Sequence, residues 1–287
     1  MAGVPRVARR RCGDPPRGAT ITARTTRRRR HVSSDHGEID PQELRRLPLE
    51  GPVNFRDLGG YAAADGRTVR RRHLFRSDAL WRLTDADVEK VHALGVTAVI
   101  DFRTTHELES NGWGGIELLD AEHLHLPTFD TTRPLMEDEE ILKTLITAPD
   151  AYMAMLRNGA GAYATALRHV AASEDPVVFF CAAGKDRTGV FAALVLGLCG
   201  VSDDDIIADY ALTGEVIERI HALRDAQDPT VERSAHRIGH DLHNAFPESM
   251  AGTIERLHAE WGDWSGYAES IGVGDSVRAG LRNRLLV

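Results

Sequence analysis

Cys181 and Arg187 are the two residues of this sequence whose types and spacing most directly indicate chemistry. The segment that they bound follows an apolar stretch at 177–180 and precedes a longer apolar run at 190–199. This pattern predicts a buried strand, a tight loop that ends at Arg187, and a helix. The free amides of such a loop and of a helix N-terminus bind anions. A cysteine and an arginine at that position indicate nucleophilic attack on a phosphate ester.

Each residue type in this segment has a chemical reason. The amides of a helix N-terminus and nearby cations favour the thiolate form of a cysteine, so we expect Cys181 to attack phosphorus and form a phosphocysteine. Arg187 offers a planar pair of donors to two phosphoryl oxygens. Thr188 is positioned to hydrogen-bond the sulfur, and Gly184 permits a close backbone turn. The residues predicted to bind phosphate are Ala182, Ala183, Gly184, Lys185, Asp186, Arg187 and Thr188.

The Cys-x5-Arg-Thr stretch resembles the loop of the cysteine-dependent protein tyrosine phosphatases, and Ala183–Gly189 resembles their atypical bacterial branch, typified by a mycobacterial enzyme. Three further stretches match that branch in the same order, namely Asn54–Gly60, Leu74–Ser77 and Asp101–Thr104. The matches span residues 48–287. The resemblance implies hydrolysis of phosphomonoesters, with phosphotyrosine proteins as the leading substrate and inorganic phosphate as product or inhibitor. Dual-specificity and phosphoinositide phosphatases are the alternatives.

Phe180 departs from the family pattern, which usually has a histidine directly before the nucleophile. That histidine normally helps to set the geometry of the loop and the acidity of the thiol. Phe180 therefore favours a rival hypothesis, a catalytically weak module that binds phosphorylated ligands. Rhodanese-like sulfur transfer also uses a loop cysteine. The intact Cys181, Asp186 and Arg187 favour the phosphatase.

Three carboxylates compete for the role of general acid. Asp186 lies inside the loop, and the resemblance implies that it serves this role. Asp101 stands at the end of a predicted strand and matches the other active-site aspartate of the family, while Asp130 lies in a predicted surface loop at 128–150. The predicted catalytic set is Cys181, Arg187, Asp186 and Asp101. The resemblance also implies that Lys185 faces the substrate, with a solvated surface position as the alternative.

The elements that must position these residues are visible as local patterns. Thr84 with Asp87, and Thr104 with Glu107, form capping patterns that predict helix starts. Val96–Phe102 is predicted to be a buried strand that brings Asp101 to its carboxyl end, and Ala151–Ala172 is predicted to be one helix. The sequence thus predicts an α/β fold with a mainly parallel central sheet and helices on both faces. Ligands bind such sheets at the carboxyl ends of the strands.

Basic and acidic residues are unevenly distributed along the chain. Residues 1–34 hold ten arginines and one acid, which leaves 25 basic and 42 acidic residues in the remainder. We expect residues 1–40 to be a disordered Arg-rich extension and residues 41–287 to be the catalytic domain. The alternative for this extension is an arm that binds nucleic acid or a membrane surface; we favour the unstructured extension and expect no nucleic-acid partner. No apolar run reaches the length of a transmembrane helix.

The positions of the cysteines and histidines bear on disulfides, cellular compartment and metal binding. The three cysteines are scattered and give no disulfide framework, and a catalytic thiol suits the cytoplasm. His236, His240 and His243 have helical spacing, but histidines in a polar segment are usually surface residues. The predicted chemistry needs neither a metal nor a cofactor.

Overall fold

The computed structural model describes residues 45–128, 147–227 and 244–287. The strands in these ranges are β1 (Arg56–Asp57), β2 (Leu74–Ser77), β3 (Ala98–Asp101), β4 (Glu122–His125) and β5 (Val177–Phe180). They form one sheet in the order β1-β2-β5-β3-β4, in which β1 is antiparallel to β2 and the other pairs are parallel. The predicted N-terminal extension, Asp130 and the three spaced histidines lie outside the described residues.

Helices connect and cover these strands. The α-helices are α1 (Asp85–His92), α2 (Thr105–Asn111), α3 (Ala148–Asn158), α4 (Ala160–Ala172), α5 (Asp186–Leu198), α6 (Asp203–Ala211), α7 (Ile217–Gln227), α8 (Pro247–Trp261), α9 (Trp264–Ser270) and α10 (Asp275–Leu285). Single 3-10 turns lie at Leu80–Arg82, Gly114–Leu118 and Leu212–Val216. No helix in the described ranges combines the length and the apolar character needed to cross a membrane.

The capping patterns read from the sequence are confirmed. Thr84 and Asp87 form a reciprocal capping box at the start of α1, and Thr104 and Glu107 form another at the start of α2. In each box the threonine oxygen accepts from an amide that has no partner within the helix, and the acidic side chain accepts from the threonine amide. These caps fix where α1 and α2 begin.

The single helix predicted for Ala151–Ala172 is wrong. The chain forms α3 and α4, which are separated at Gly159. The Gly159 amide caps α3 by donating to the Met155 carbonyl (2.8 Å), while the Gly159 carbonyl accepts from Tyr163 in α4 (2.9 Å). A glycine weakens a helix because its backbone gains more freedom on unfolding, and the apolar pattern on either side gives no sign of the break.

Alternating residues of β5 enter two different cores. Val177 and Phe179 pack into the larger cluster, which draws on α3 to α6 and α8 to α10. Val178 and Phe180 enter a smaller cluster with α1 and the 3-10 turns on the other face. Side chains of successive strand residues point to opposite faces, so a continuous apolar strand indicates burial on both. The predicted α/β architecture is confirmed.

Gly197, near the end of α5, has no room for a larger side chain. A Cβ at this position would lie 2.3 Å from Cγ of Trp264. We expect Gly197→Ala to lower the free energy of unfolding by about 1–3 kcal/mol, because the Trp264 ring must move out of a packed core. Urea denaturation measures this change.

Gly161 in α4 is the matched control, since no atom lies within 4 Å of the position of its added Cβ. Gly161→Ala should stabilise the protein by about 0.4–1 kcal/mol through loss of unfolded-state freedom. A Gly197→Ala variant as stable as Gly161→Ala would contradict the packing against Trp264.

Candidate active site

The loop that carries Cys181 joins β5 to α5. Cys181 directly follows the last residue of β5, and 1% of its surface is exposed. Helix α5 begins at Asp186, so Arg187 and Thr188 lie in its first turn rather than in the loop. The sequence prediction ended the loop too late because this turn is polar. An acidic residue at the first position of a helix is stabilised by the helix dipole.

Gly184 fixes the path of the loop. Its φ is +62°, and a Cβ would lie 2.5 Å from the Ser77 carbonyl oxygen at the end of β2. Glycine alone adopts this region at little cost and allows such a close approach of two backbones. The prediction that Gly184 permits a close backbone turn is confirmed.

Arg187 is held by a carboxylate that the sequence analysis assigned only to a helix cap. The Arg187 Nη2 donates to Oε1 of Glu107 (2.8 Å), and Nη1 donates to Oε2 of Glu107 and to the Phe102 carbonyl (3.3 Å). Burial would raise the pKa of Glu107, but the charge and hydrogen bonds of Arg187 outweigh burial and lower it. The guanidinium is therefore oriented by an ionised partner. Glu107 follows β3 by only a few residues, which is the one sequence signal that could have indicated its role.

Asp186 projects from the first turn of α5 with 29% of its side chain exposed. Its Oδ1 accepts from the Tyr152 hydroxyl (2.6 Å) and lies 3.3 Å from Nζ of Lys185. Burial and the neighbouring Asp186 raise the pKa of Tyr152 well above its usual value, so the hydroxyl remains a donor. Sequence reasoning missed Tyr152, which lies in the apolar stripe of α3 and gives no separate signal.

Asp101, the other predicted aspartate, is fully buried at the end of β3. Its Oδ1 accepts from the Arg103 amide (2.9 Å), and Nε of Arg103 lies 3.0 Å from Oδ1 and 2.9 Å from Oδ2. The Arg103 guanidinium carbon stands 4.6 Å from the centre of the Trp81 ring and 5.2 Å from that of Phe180. Asp101 is thus engaged in an ion pair in the wall of the site.

Phe180 occupies the face of the sheet opposite to Cys181. Its ring belongs to the smaller core with Val178, whereas Cys181 belongs to the larger core with Phe179. The ring contacts Trp81, with centroids 6.3 Å apart, and lies against the Arg103 cation. The residue that replaces the family histidine therefore packs away from the thiol.

Lys185 and Thr188 are both buried. The solvated surface position considered for Lys185 is wrong, because 3% of this residue is exposed and its Nζ contacts Asp186. The Thr188 side-chain oxygen has no hydrogen-bond partner within the described ranges. The predicted hydrogen bond from Thr188 to the Cys181 sulfur is therefore not formed in this structure.

Residues of the first two matched stretches hold the loop from the side of β1 and β2. Nη2 of Arg76 donates to the Gly184 carbonyl oxygen (2.7 Å), and Nδ2 of Asn54 approaches the same oxygen (3.3 Å). Both side chains are buried. In the sequence these stretches are visible only as matches to a family pattern, which indicates no contact with the loop.

The comparison with known protein families agrees with this geometry. The model of the tyrosine phosphatase family matches residues 47–287. This chain belongs to the tyrosine phosphatase family. The predicted reaction class, hydrolysis of phosphoric monoesters, is confirmed.

Two curated bacterial relatives illustrate the range of this family. The chain is 32% identical over 228 residues to a tyrosine-protein phosphatase of Nostoc commune, which covers 73% of each protein. It is 28% identical over 281 residues to the triple specificity protein phosphatase PtpB of Mycobacterium tuberculosis, which covers 85% of this chain and 99% of that one. The crystal structure of P. aeruginosa TpbA covers 53% of this chain and 77% of that chain at a TM-score of 0.32 and 18% identity, too distant to support any inference.

Glu107 gives the first test of the site. Glu107→Gln keeps the size of the side chain and an oxygen for the α2 cap, but it removes the charge that orients Arg187. We expect kcat/KM for p-nitrophenyl phosphate to fall about ten- to hundredfold, since small misplacements of a binding group have effects of this size. The exposed Glu109 on the same helix provides the control, and Glu109→Gln should retain wild-type activity. Equal activity of the two variants would contradict the orienting role.

Proposed function

We propose that this phosphatase hydrolyses phosphotyrosine in proteins through a phosphocysteine on Cys181. One observation carries the proposal: the loop that begins at Cys181 leads directly into the first turn of α5, where Glu107 holds Arg187 in place. This arrangement combines a nucleophile with donors for the oxygens on which charge develops. The partner implied is a phosphotyrosine protein, and inorganic phosphate is the product.

In the first step the Cys181 sulfur attacks phosphorus and the bond to the tyrosine oxygen breaks. Arg187 and the amides of Ala182–Thr188 hold the phosphoryl oxygens, and Asp186 gives its proton to the leaving oxygen. In the second step Asp186 accepts a proton from the attacking water. The sulfur–phosphorus bond breaks, which returns the thiolate and releases inorganic phosphate.

Two contacts support Asp186 rather than Asp101 as the acid. The Tyr152 hydroxyl engages Oδ1 of Asp186, while Oδ2 has no hydrogen-bond partner among the described residues and can carry a proton to the leaving group. Asp101 is fully buried and has both oxygens against Arg103. Proton donation from Asp101 would leave the Arg103 charge buried without its partner, which is strongly unfavourable. We assign Asp101 a positioning role in the wall of the site.

A broader substrate range is the second candidate. Lys185 brings an additional cation to within 3.3 Å of Asp186, and the name of the mycobacterial relative states triple specificity. Phosphoserine, phosphothreonine and phosphoinositides are therefore candidate substrates besides phosphotyrosine.

We also propose the catalytic domain at residues 41–287, preceded by an Arg-rich extension at 1–40. The family match over 47–287 supports this division. We propose the cytoplasm as the site of action, since Cys181 and Cys199 are both free thiols and a reducing compartment preserves them.

Cys181→Ser tests the covalent mechanism. We expect phosphate release from a phosphotyrosine peptide to fall to background, because serine is a much weaker nucleophile at neutral pH. Cys199→Ser, at the other buried free thiol of the described chain, should retain turnover. Turnover by Cys181→Ser would contradict the phosphocysteine. Phosphate binding without turnover by the wild type would instead indicate a binding module.

Asp186→Asn tests the assignment of the acid. Loss of a proton donor should slow aryl phosphates with weakly acidic phenols by about 10²–10⁴-fold, and those with strongly acidic phenols much less. Asp101→Asn should slow both substrates to the same extent, because it disturbs the wall rather than the proton transfer. The reverse pattern in the two variants would transfer the acid role to Asp101.

A further inference from the structure

Arg56, Arg76 and Asp209 form a buried cluster behind the phosphate loop that the proposed mechanism does not use. Their exposed fractions are 2%, 0% and 1%. Nε of Arg56 donates to Oδ1 of Asp209 (3.2 Å), and Nη1 of Arg76 donates to Oδ2 (2.6 Å). The Tyr61 hydroxyl also donates to Oδ1 of Asp209 (3.2 Å). One carboxylate thus serves two guanidinium groups.

The cluster carries one excess positive charge at neutral pH. Burial would raise the pKa of Asp209, but Arg56 and Arg76 outweigh burial and lower it to about 2. Burial and repulsion from Arg56 lower the pKa of Arg76 to about 10, which still leaves it protonated. Burial raises the pKa of Tyr61, which therefore stays neutral. A buried excess charge is costly, so a cluster that served stability alone would have no reason to contain it.

Arg76 directs this charge towards the catalytic loop. It lies on β2 opposite Phe179 of β5, the strand that ends at Cys181. Its Nη2 donates to the Gly184 carbonyl (2.7 Å), and its Nε is buried with no hydrogen-bond partner in the described part of the chain. Arg76 and Cys181 interact electrostatically, which favours the charged form of the arginine.

Each of the other titratable groups around the loop is either paired with an opposite charge, held by hydrogen-bond donors or kept neutral. Arg187 and Tyr163 also interact with Cys181, but Arg187 is paired with Glu107, and burial keeps Tyr163 neutral by raising its pKa. Arg103 is paired with Asp101, and Lys185 contacts Asp186. Asp78 at the end of β2 accepts from the amides of Val53 and Asn54. Arg76 differs from the cations named here because its carboxylate partner, Asp209, is shared with a second arginine, Arg56.

We propose that the Arg56–Asp209–Arg76 cluster is a buried cation that stabilises the Cys181 thiolate, with Arg76 as the positioning residue and Asp209 setting how much of its charge reaches the loop. The inference rests on the proposed function, in which Cys181 acts as a thiolate.

The test uses two variants that both break the cluster but change its charge in opposite directions. Arg76→Gln removes the excess charge, and Asp209→Asn increases it while keeping the shape of the side chain. The readout is the rate at which iodoacetamide alkylates the Cys181 peptide as a function of pH, followed by mass spectrometry in the full-length protein. Only the thiolate reacts, so the midpoint of the profile reports the charge around the sulfur.

We expect Arg76→Gln to move this midpoint upward by about one pH unit and Asp209→Asn to move it downward, as a nearby charge shifts a titration by one unit or more. Both variants should lower Tm, because each leaves a buried group without a partner. Arg157→Gln, which breaks the exposed pair with Glu260, is the control and should leave the profile unchanged. A shift of both cluster variants in the same direction, or lower Tm with no shift, would overturn the proposal.

Two further comparisons test the proposal if Arg76→Gln does not fold and separate the effect of charge from that of shape. If Arg76→Gln does not fold, Asp209→Asn alone decides, since a downward shift supports the proposal and any other result overturns it. Arg76→Lys keeps the charge and should hold the midpoint near the wild-type value; an upward shift equal to that of Arg76→Gln would overturn it. Alkylation requires no turnover. Opposite shifts in a protein that does not hydrolyse phosphotyrosine would contradict the proposed function and leave this inference intact.

Discussion

Buried and partly buried pairs of guanidinium and carboxylate groups, near the carboxyl ends of the parallel strands, are the interaction on which the site depends. Arg187 pairs with Glu107, Arg103 with Asp101, and Arg76 with Asp209. The proposed mechanism brings a thiolate and a phosphoryl group, with several negative charges, into a small volume, and only positive groups already held in place meet them without reorganisation. Loss of one partner from such a pair costs about 3–5 kcal/mol. The same contacts therefore maintain both the fold and the chemistry.

The two faces of the sheet carry different groups. The face that holds Cys181 carries the larger core, together with α5 and the residues that hold the Gly184 carbonyl. The opposite face carries Phe180, which closes a smaller aromatic cluster over Arg103. Since successive residues of a strand point to opposite faces, a substitution at Phe180 alters the packing beneath the loop without entering it. This alternation explains how the chain can hold an apolar residue beside Cys181, the proposed nucleophile.

Local patterns predicted much of the fold. The threonine caps, the turn at Gly184 and the strand before Cys181 depend on neighbours in sequence, and each is confirmed. The roles of Glu107, Tyr152 and Asp209 could not be predicted, because their partners lie 80, 34 and 133 residues away along the chain. The break at Gly159 was missed because the apolar spacing of α3 continues into α4. The spacing of apolar residues indicates which face of a helix or strand is buried. A polar contact between residues far apart in the sequence has no local sequence pattern.

The four tryptophans fall into two groups that give the protein optical reporters. Trp81 and Trp113 lie against the Arg103 cation, beside the strand end that carries Asp101. Trp264 packs on Gly197, about 15 Å along α5 from Arg187 at 1.5 Å per residue, and Trp261 contacts the neighbouring Tyr267 ring. Indole emission responds to nearby charge and to water. Variants that keep only Trp81 and Trp113 would report changes around Arg103 and Asp101, and variants that keep only Trp261 and Trp264 would report loosening of the C-terminal helices.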